Sequence, residues 1–502
     1  MKKKILILSF LLISCAGKDR DTSSKLRVIL EKGDYIEAEK FSADTKFYDE
    51  ERNDLLRVME KGTIYYLQKK HKEALENFYL AKEISDNLFT VSISKKIAST
   101  TISTSIDNYY GEKYERSLIR FYLSLIHYNL YKETNDRKHL TSARANVLEW
   151  DSLLNSYKAE DEGKSTYKSD ITQKVWAAFI HKEVGTNNDK QIALQLYKDA
   201  KDVLFKNYNA YPTYNNKAKD FDDDFKKLSK LPIEKVKKDY VDNTIFAKNL
   251  IDFLDKEIKL LQQKKDNNLI IVLKDGLINH KKAKRVVIGF NDKYRTKTQD
   301  VDEISLILPL TTLATIRGDP ILMVLGLLAI EFSFEVPSVP EYVNNMNLEG
   351  ILYKNGIEIS RFPLIITSPI NDIAQKEIND KFTSQLIKTA TTTVAKHVAA
   401  IIMAKGIYNA TLKQGKIWAN LAAMASYKGA SMAINKSAEA DLRYWSSLPY
   451  NIRIGETNVP NGEYDFVVNA SYLTEKKEYE IYREKLNVKG KTFKDLNISH
   501  MK

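Results

Sequence analysis

Between residues 25 and 262 the chain repeats itself loosely, with segments in which apolar side chains recur at every third or fourth position, the spacing that lines one face of an α-helix. The clearest stretch, VMEKGTIYYLQKKHKEALENFYLAKEI at 58–84, predicts two antiparallel helices. Gly62 and Ala74 are small enough to let those helices approach; Tyr65 and Phe78 fill the space beside them, and Ala81 continues the narrow face. Gly33, Tyr35 and Ala38 repeat the pattern upstream, with Ala38 lying 36 residues before Ala74. Ala193, Tyr197 and Ala200 repeat it again in a degenerate unit that ends near residue 206. Between them Leu118, Phe121, Tyr122, Leu125 and Tyr128 form an aromatic stripe, read as core rather than as a ligand site. Ile251, Leu254, Ile258 and Leu261 mark a last helix before the polar run at 264–268.

Beyond that run the period drops to two. NLIIVLKDG and AKRVVIGF, around a turn at Gly276, then EISLILP and FSFEVP read as strands. Asn355-Gly356 in ILYKNGIEI is a hairpin signal, and Asn461-Gly462 and Gly490 suggest further turns of one antiparallel sandwich. Residues 372–444 interrupt it with an Ala-rich helical hairpin turning near Gly406 or Gly415. Its lysines recur too often for a membrane span, which needs about 20 apolar residues, so packing on the sandwich is expected. Residues 309–330 look like a second excursion from the sheet. The hairpin ends in ADLRYWSSLP, 440–449. On a helix Asp441 and Trp445 share one side while Asp441 and Arg443 point apart, and Pro449 stops the helix. Asp441, Arg443, Trp445 and Pro449 are therefore read as a structural joint, with Trp445 plugging a corner, rather than as an active site.

The helical repeat resembles the tetratricopeptide (TPR) repeat, which implies a groove for a peptide or partner protein. The expected fold class is α+β multidomain: a TPR-like α-solenoid at 25–265, then an antiparallel β-sandwich at 269–371 and 445–502, with the helical hairpin inserted at 372–444.

The start of the chain concerns address. Lys2, Lys3 and Lys4 precede an apolar stretch, Ile5 to Ile13, too short to span a bilayer but suited to a secretory signal peptide over 1–14. Leu12-Ile13-Ser14-Cys15 resembles the lipobox of bacterial lipoproteins. That resemblance implies that Cys15, the only cysteine, becomes an acylated N-terminus carrying chains such as palmitate, and that these anchor the protein to a membrane. Ala16 stands where an Asp commonly retains such proteins at the inner membrane, which implies an outer-membrane lipoprotein facing the periplasm. Residues 15–24, small and polar, are expected to be a lipidated tether. A lone cysteine excludes a disulfide framework. Removal of the three leading lysines lowers the formal charge from +12 to +9. Most of that charge is interleaved with acids and read as solvated surface, and an exported protein has little occasion to meet nucleic acid.

Chemistry-bearing patterns are sparse. The seven histidines never pair at ligand spacing, so no metal site is expected and no cofactor is implied. Gly163-Lys164-Ser165 and Gly490-Lys491-Thr492 imitate the end of a phosphate loop, but Lys158 and Lys485 stand where its first glycine belongs. DFDDDF at 220–225 alternates carboxylates as a calcium loop does, yet Phe225 and Leu231 replace its Gly and Glu. Arg317-Gly318-Asp319 is too short a motif to carry weight. A non-enzyme is expected.

Three segments, GEKYERSLIRFYLSLIHYNL, ADLRYWSSLP and VPNGEYDFVV, together resemble an uncharacterised family of bacterial envelope lipoproteins with helical repeats and a C-terminal β region. The resemblance implies architecture and location but no activity. The expected function is a non-catalytic envelope adaptor that holds a periplasmic protein partner through its repeats. The alternatives are an accessory factor for secretion or surface assembly, or a cell-wall polymer enzyme whose acids meet only on folding.

Overall fold

A computed structural model describes residues 15–98, 108–160, 166–216, 244–289, 303–307, 332–340, 344–473 and 477–499. The fold is mixed α+β, with helices in the first half and three sheets in the second. Helices α1 (Cys15–Glu31) and α2 (Tyr35–Ala43) turn at Gly33, whose φ of 70° favours glycine. Three antiparallel pairs follow: α3 (Asp54–Leu67) with α4 (His71–Ala98), α5 (Lys113–Thr134) with α6 (Arg137–Glu160), and α7 (Ile171–Val184) with α8 (Asn187–Lys206). Helix α9 (Ile245–Gln262) packs on α8. The caps are legible locally: Glu112 and Glu115 form a capping box on α5, and Asp170 accepts the Gln173 N–H at the start of α7. Gly62 permits the closest approach in the first pair, since a Cβ there would lie 3.1 Å from the Phe78 ring. Ala74, Phe78 and Ala81 are fully buried opposite it, and Tyr65 is half-buried at the edge.

The expected tether is not one. Residues 15–24 belong to α1, where Asp19, Thr22 and Ser23 are buried and Leu26 and Leu30 enter the core. Asn53 on the neighbouring segment donates to Asp19 Oδ1 (3.0 Å), so a stretch that reads as small and polar is satisfied inside the protein instead of in water.

Strands β1 (Leu269–Asp275), β8 (Asn451–Thr457), β7 (Ile365–Ser368) and β11 (Thr492–Ile498) form one sheet in the order β11-β1-β8-β7. A second, β10-β9-β5-β6, joins β5 (Met346–Lys354), β6 (Ile357–Pro363), β9 (Gly462–Tyr472) and β10 (Glu478–Val488). A third, β3-β2-β4, joins β2 (Lys282–Gly289), β3 (Glu303–Ile307) and β4 (Phe332–Ser338). The β5–β6 hairpin turns at Asn355 and Gly356, both at positive φ. Two expectations fail. The arrangement is not purely antiparallel, because β1 pairs with β11, and β2 with β3, in parallel. Asn461-Gly462 and Gly490 do not close hairpins but carry the chain from one sheet to another. The reason lies in β1, which is buried along its whole length. Leu269, Ile271 and Leu273 share a core with Phe466 and Val468 of the second sheet. Ile270 and Val272 point the other way, into the core of the helices. A strand apolar on both faces is central in a layered stack and can accept a parallel neighbour.

The helices are thus a third layer on the first sheet, and the run at 264–268 marks a change of element within a continuous core. Helices α10 (Ile370–Thr411) and α11 (Lys416–Ser437) form the inserted hairpin. It turns at Gly415 (φ 110°), while Gly406 lies inside α10. It packs mainly on itself, and at its root chiefly against β4, rather than along the two four-stranded sheets. Helix ends at Ser437, short of the expected residue 444.

Candidate functional site

The first helix of each pair faces the sheet. Thr63 and Glu60 on α3, Tyr122 and Tyr128 on α5, and Thr172, Trp176 and Lys182 on α7 all meet residues from beyond 360. Helix α5 is consequently buried on every side from Lys113 to Tyr128. Two polar centres lie in this junction.

The first is built around Lys182. Its ammonium lies 3.0 Å from Glu257 of α9, 2.9 Å from Glu456 of β8 and 2.9 Å from Asp266 in the connecting run. Lys491, the lysine of the Gly490-Lys491-Thr492 run at the β10–β11 crossing, reaches Asp266 (2.7 Å) and Glu183 (3.1 Å). Asn267 donates to Glu257 Oε1 at 2.6 Å. Burial and the nearby Glu456 push the Glu257 carboxyl up to about 7, with Lys182 only partly offsetting them. Burial pulls Lys182 down, but Glu456, Tyr197, Glu257 and Asp266 together hold it well above its ordinary value. Oxygens of Glu257, Asp266 and Glu456 lie within 4.8 Å of one another, the one such group of three metal-type ligands among the described residues. The Lys182 ammonium already sits where a cation would bind, and Glu257 and Glu456 are closed from solvent. The cluster ties four segments together; it offers no open ligand position and no reachable pair of carboxylates.

The second centre is ADLRYWSSLP. It is irregular rather than helical, so Asp441 and Arg443 do not point apart as expected. Arg443 grips Asp441 with two hydrogen bonds, Nε to Oδ1 (2.9 Å) and Nη2 to Oδ2 (2.7 Å), and donates a third from Nη1 to Asn53 Oδ1 (3.0 Å). Trp445 is fully buried against Phe78 and Tyr122, and its indole N–H donates to Thr63 and Ser447. Its backbone N–H donates to Glu115 Oε1 at 2.8 Å, so the first two of the three motifs meet directly. Ser446 donates from both its backbone N–H and its hydroxyl to Glu60, which burial pushes up to about 7 against those bonds. Pro449, buried, leads into Tyr450, whose N–H donates to the Asp275 carbonyl. In the third motif Tyr464 donates to the Pro460 carbonyl and Phe466 enters the core between the two four-stranded sheets.

Sequence reasoning missed the Lys182 cluster and Glu60, although a signal existed. Each is a charge on an apolar helix face: Lys182 follows WAAFIH, Glu257 continues the Leu250–Leu254 stripe, and Glu60 lies one turn from Leu56 and Ile64. Two histidines twelve residues apart also meet, His127 Nδ1 lying 3.0 Å from His139 Nδ1 across the α5–α6 pair. Cys15 opens α1. The signal segment, DFDDDF, Gly163-Lys164-Ser165, Arg317-Gly318-Asp319 and the excursion at 309–330 lie outside the described residues. Comparison with family models, with curated proteins and with solved structures finds no match for this chain.

Proposed function

We propose that the chain is an outer-membrane lipoprotein, anchored through acylated Cys15, that serves as a non-catalytic scaffold for a periplasmic protein partner. Its helix pairs are TPR-like and the two four-stranded sheets form a β-sandwich-like body. The observation that carries the scaffold reading is the burial of α5 from Lys113 to Tyr128. The face that a repeat array would offer to a ligand is filled by the chain's own second half, through Trp445, Phe493 and Glu456. The repeats hold this protein together, and a partner engages the outer helices, where Tyr79, Leu80 and Leu148 are exposed.

The test has two parts. Mass analysis of the N-terminal peptide from purified envelopes should find acylated Cys15, and Cys15→Ala should let raised salt release the protein from membranes that retain the wild type. Affinity capture from detergent-solubilised envelopes should recover a stoichiometric partner that is lost when Tyr79, Leu80 and Leu148 are changed to Asp. An unmodified Cys15 removes the anchor; capture that those three changes leave intact removes the assigned surface.

A further inference from the structure

Nine of the twenty large apolar side chains exposed among the described residues lie between Val398 and Met432, on the α10–α11 hairpin. The contact between its two helices is made by small residues, Ala400, Ala404 and Ala423 with Tyr427. Larger side chains are therefore left outside. On α11, Ile417, Trp418, Leu421 and Met432 are 75%, 65%, 51% and 69% exposed. At 100° per residue they fall within about 100° of one another, on the side away from Ala423 and Tyr427. Ile417, Trp418 and Leu421 cluster near the tip, and Met432 lies further along the same side beyond exposed Lys428; an exposed apolar cluster of this kind marks contact with another molecule or phase.

The charge identifies which. Residues 381–438 contain eight lysines and no Asp, Glu or Arg; one of them, Lys381 at the root, is paired with Glu112 and Glu377. Lys405, Lys413 and Lys416 are exposed around the tip. A second copy of the chain would bring two such arrays together and repel. An anionic bilayer surface satisfies both features: aliphatic and indole groups enter the boundary between headgroups and acyl chains, while lysine stems reach outward to phosphate. No described helix is long and apolar enough to cross a membrane. Helix α11, about 33 Å long at 1.5 Å per residue, suits the plane of the interface instead.

The root of the hairpin also lies beside the start of α1. Asp19 is bonded to Asn53, and Asn53 to Arg443, six residues past the end of α11. We infer that the outer face of the hairpin, led by Ile417, Trp418 and Leu421, is a second membrane contact that binds the surface of an anionic lipid bilayer. This rests on the reading that the protein works at a membrane, and adds a contact independent of the acyl group.

The protein carries its own reporter. Trp150, Trp176 and Trp445 are fully buried, whereas Trp418 is exposed, and the leading apolar segment has no tryptophan. The full chain carrying Cys15→Ala is mixed with vesicles of phosphatidylcholine, alone or with phosphatidylglycerol, each containing brominated acyl chains. With phosphatidylglycerol, Trp418 emission should shift to the blue and be quenched; raised salt should reverse this, and Trp418→Phe should remove the signal. Ile417→Asp with Leu421→Asp should weaken the interaction by roughly tenfold or more without changing the melting curve, since both positions are exposed. Emission unchanged at every lipid concentration overturns the inference. So does equal quenching on neutral vesicles, or a shift that needs only more protein and no lipid. Acylation is read separately from the Cys15 peptide of envelope-derived protein, so loss of the anchor with Trp418 quenching intact leaves this contact standing, and the converse leaves only the anchor.

Discussion

Replacing Trp445 with Ala tests the claim that helices and sheets share one core. The side chain is fully buried between Phe78 and Tyr122, with ring centroids 5.9 and 5.5 Å away. Truncating a buried aromatic to Ala costs about 3–5 kcal/mol through lost transfer energy and the cavity left behind. The indole N–H also donates to Thr63 (2.9 Å) and Ser447 (3.0 Å), and losing it adds about 1 kcal/mol. The upper half of the range, about 4–5 kcal/mol, is therefore expected. Trp445→Phe keeps most of the packing and loses the donor, so it should cost about 1–2 kcal/mol. For a chain of this size the urea slope is about 3 kcal/mol/M or more, and the Ala variant should lose roughly 1 M of midpoint. Unfolding is followed by far-ultraviolet circular dichroism for the helices and by the remaining tryptophans for the junction. Both curves should move together, because Trp445 touches α3, α4 and α5 from the lead into β8. A wild-type midpoint would refute the packing argument. A shift confined to one probe would refute the shared core.

Three further outcomes follow from particular contacts. Lys182→Met leaves Glu257 and Glu456 buried without their ammonium and should cost about 3–5 kcal/mol in the same urea experiment; a neutral result would mean the cluster is open to water. Gly62→Ala places a methyl 3.1 Å from the Phe78 ring and should cost about 1–3 kcal/mol by overpacking, an effect that Phe78→Leu should relieve in the double variant. Burial pushes Glu60 and Glu257 up to about 7 and Asp170 up to about 6. An acid whose folded pKa is raised binds its proton better in the folded state. Its contribution is full below the unfolded value and is lost as pH rises through the folded one. Burial pulls the His127 imidazole down to about 4, and a buried neutral histidine gains stability as pH rises through the same window, so the acids are read by difference: the stability of the wild type relative to Glu60→Gln should fall between about pH 5 and 7.5 by on the order of 1–3 kcal/mol, and a difference that climbs would contradict the assignment.

Much of the local structure was legible because it depends on neighbours in sequence. The Gly62–Phe78 pairing follows from a 3.6-residue period, and the β5–β6 hairpin from Asn355-Gly356, whose positive φ values that dipeptide favours. What escaped depends on contacts hundreds of residues apart. Asn461-Gly462 carries the same dipeptide, yet β9 finds β5 and β10 rather than β8, because β8 is already held between β1 and β7. ADLRYWSSLP has the spacing of a helix turn, but its backbone N–H groups are taken by Glu60 and Glu115 from α3 and α5, which outcompete a helix of its own. Glu60, Lys182 and Glu257 were visible as charges on apolar faces, but nothing in the sequence says which partner each one meets.

The packing of α1 narrows what an anchored form of this protein could do. Arg27 donates to the carbonyls of Leu277 and Ile278, and Ser499 donates to that of Leu30. The helix is thus held by the loop after β1 and by the far end of the chain, as well as by its own apolar face. On the proposed acylation of Cys15, a lipid would be joined to a rigid element with no slack. A flexible tether lets a domain turn freely, with a reach that grows as the square root of its length. On that proposal, a helix fixed at Leu26 and Leu30 would forbid such turning and would hold the neighbouring surface, including the hairpin root at Arg443, against the bilayer. The hairpin's lysines then need not supply affinity alone; attachment at Cys15 would raise their effective concentration at the membrane, and the proposed tip contact would set orientation. With the inner face of the repeats filled by the second half of the chain, and these two proposed contacts taken by the bilayer, the proposed protein partner is left the outer helices, where Tyr79, Leu80 and Leu148 are exposed.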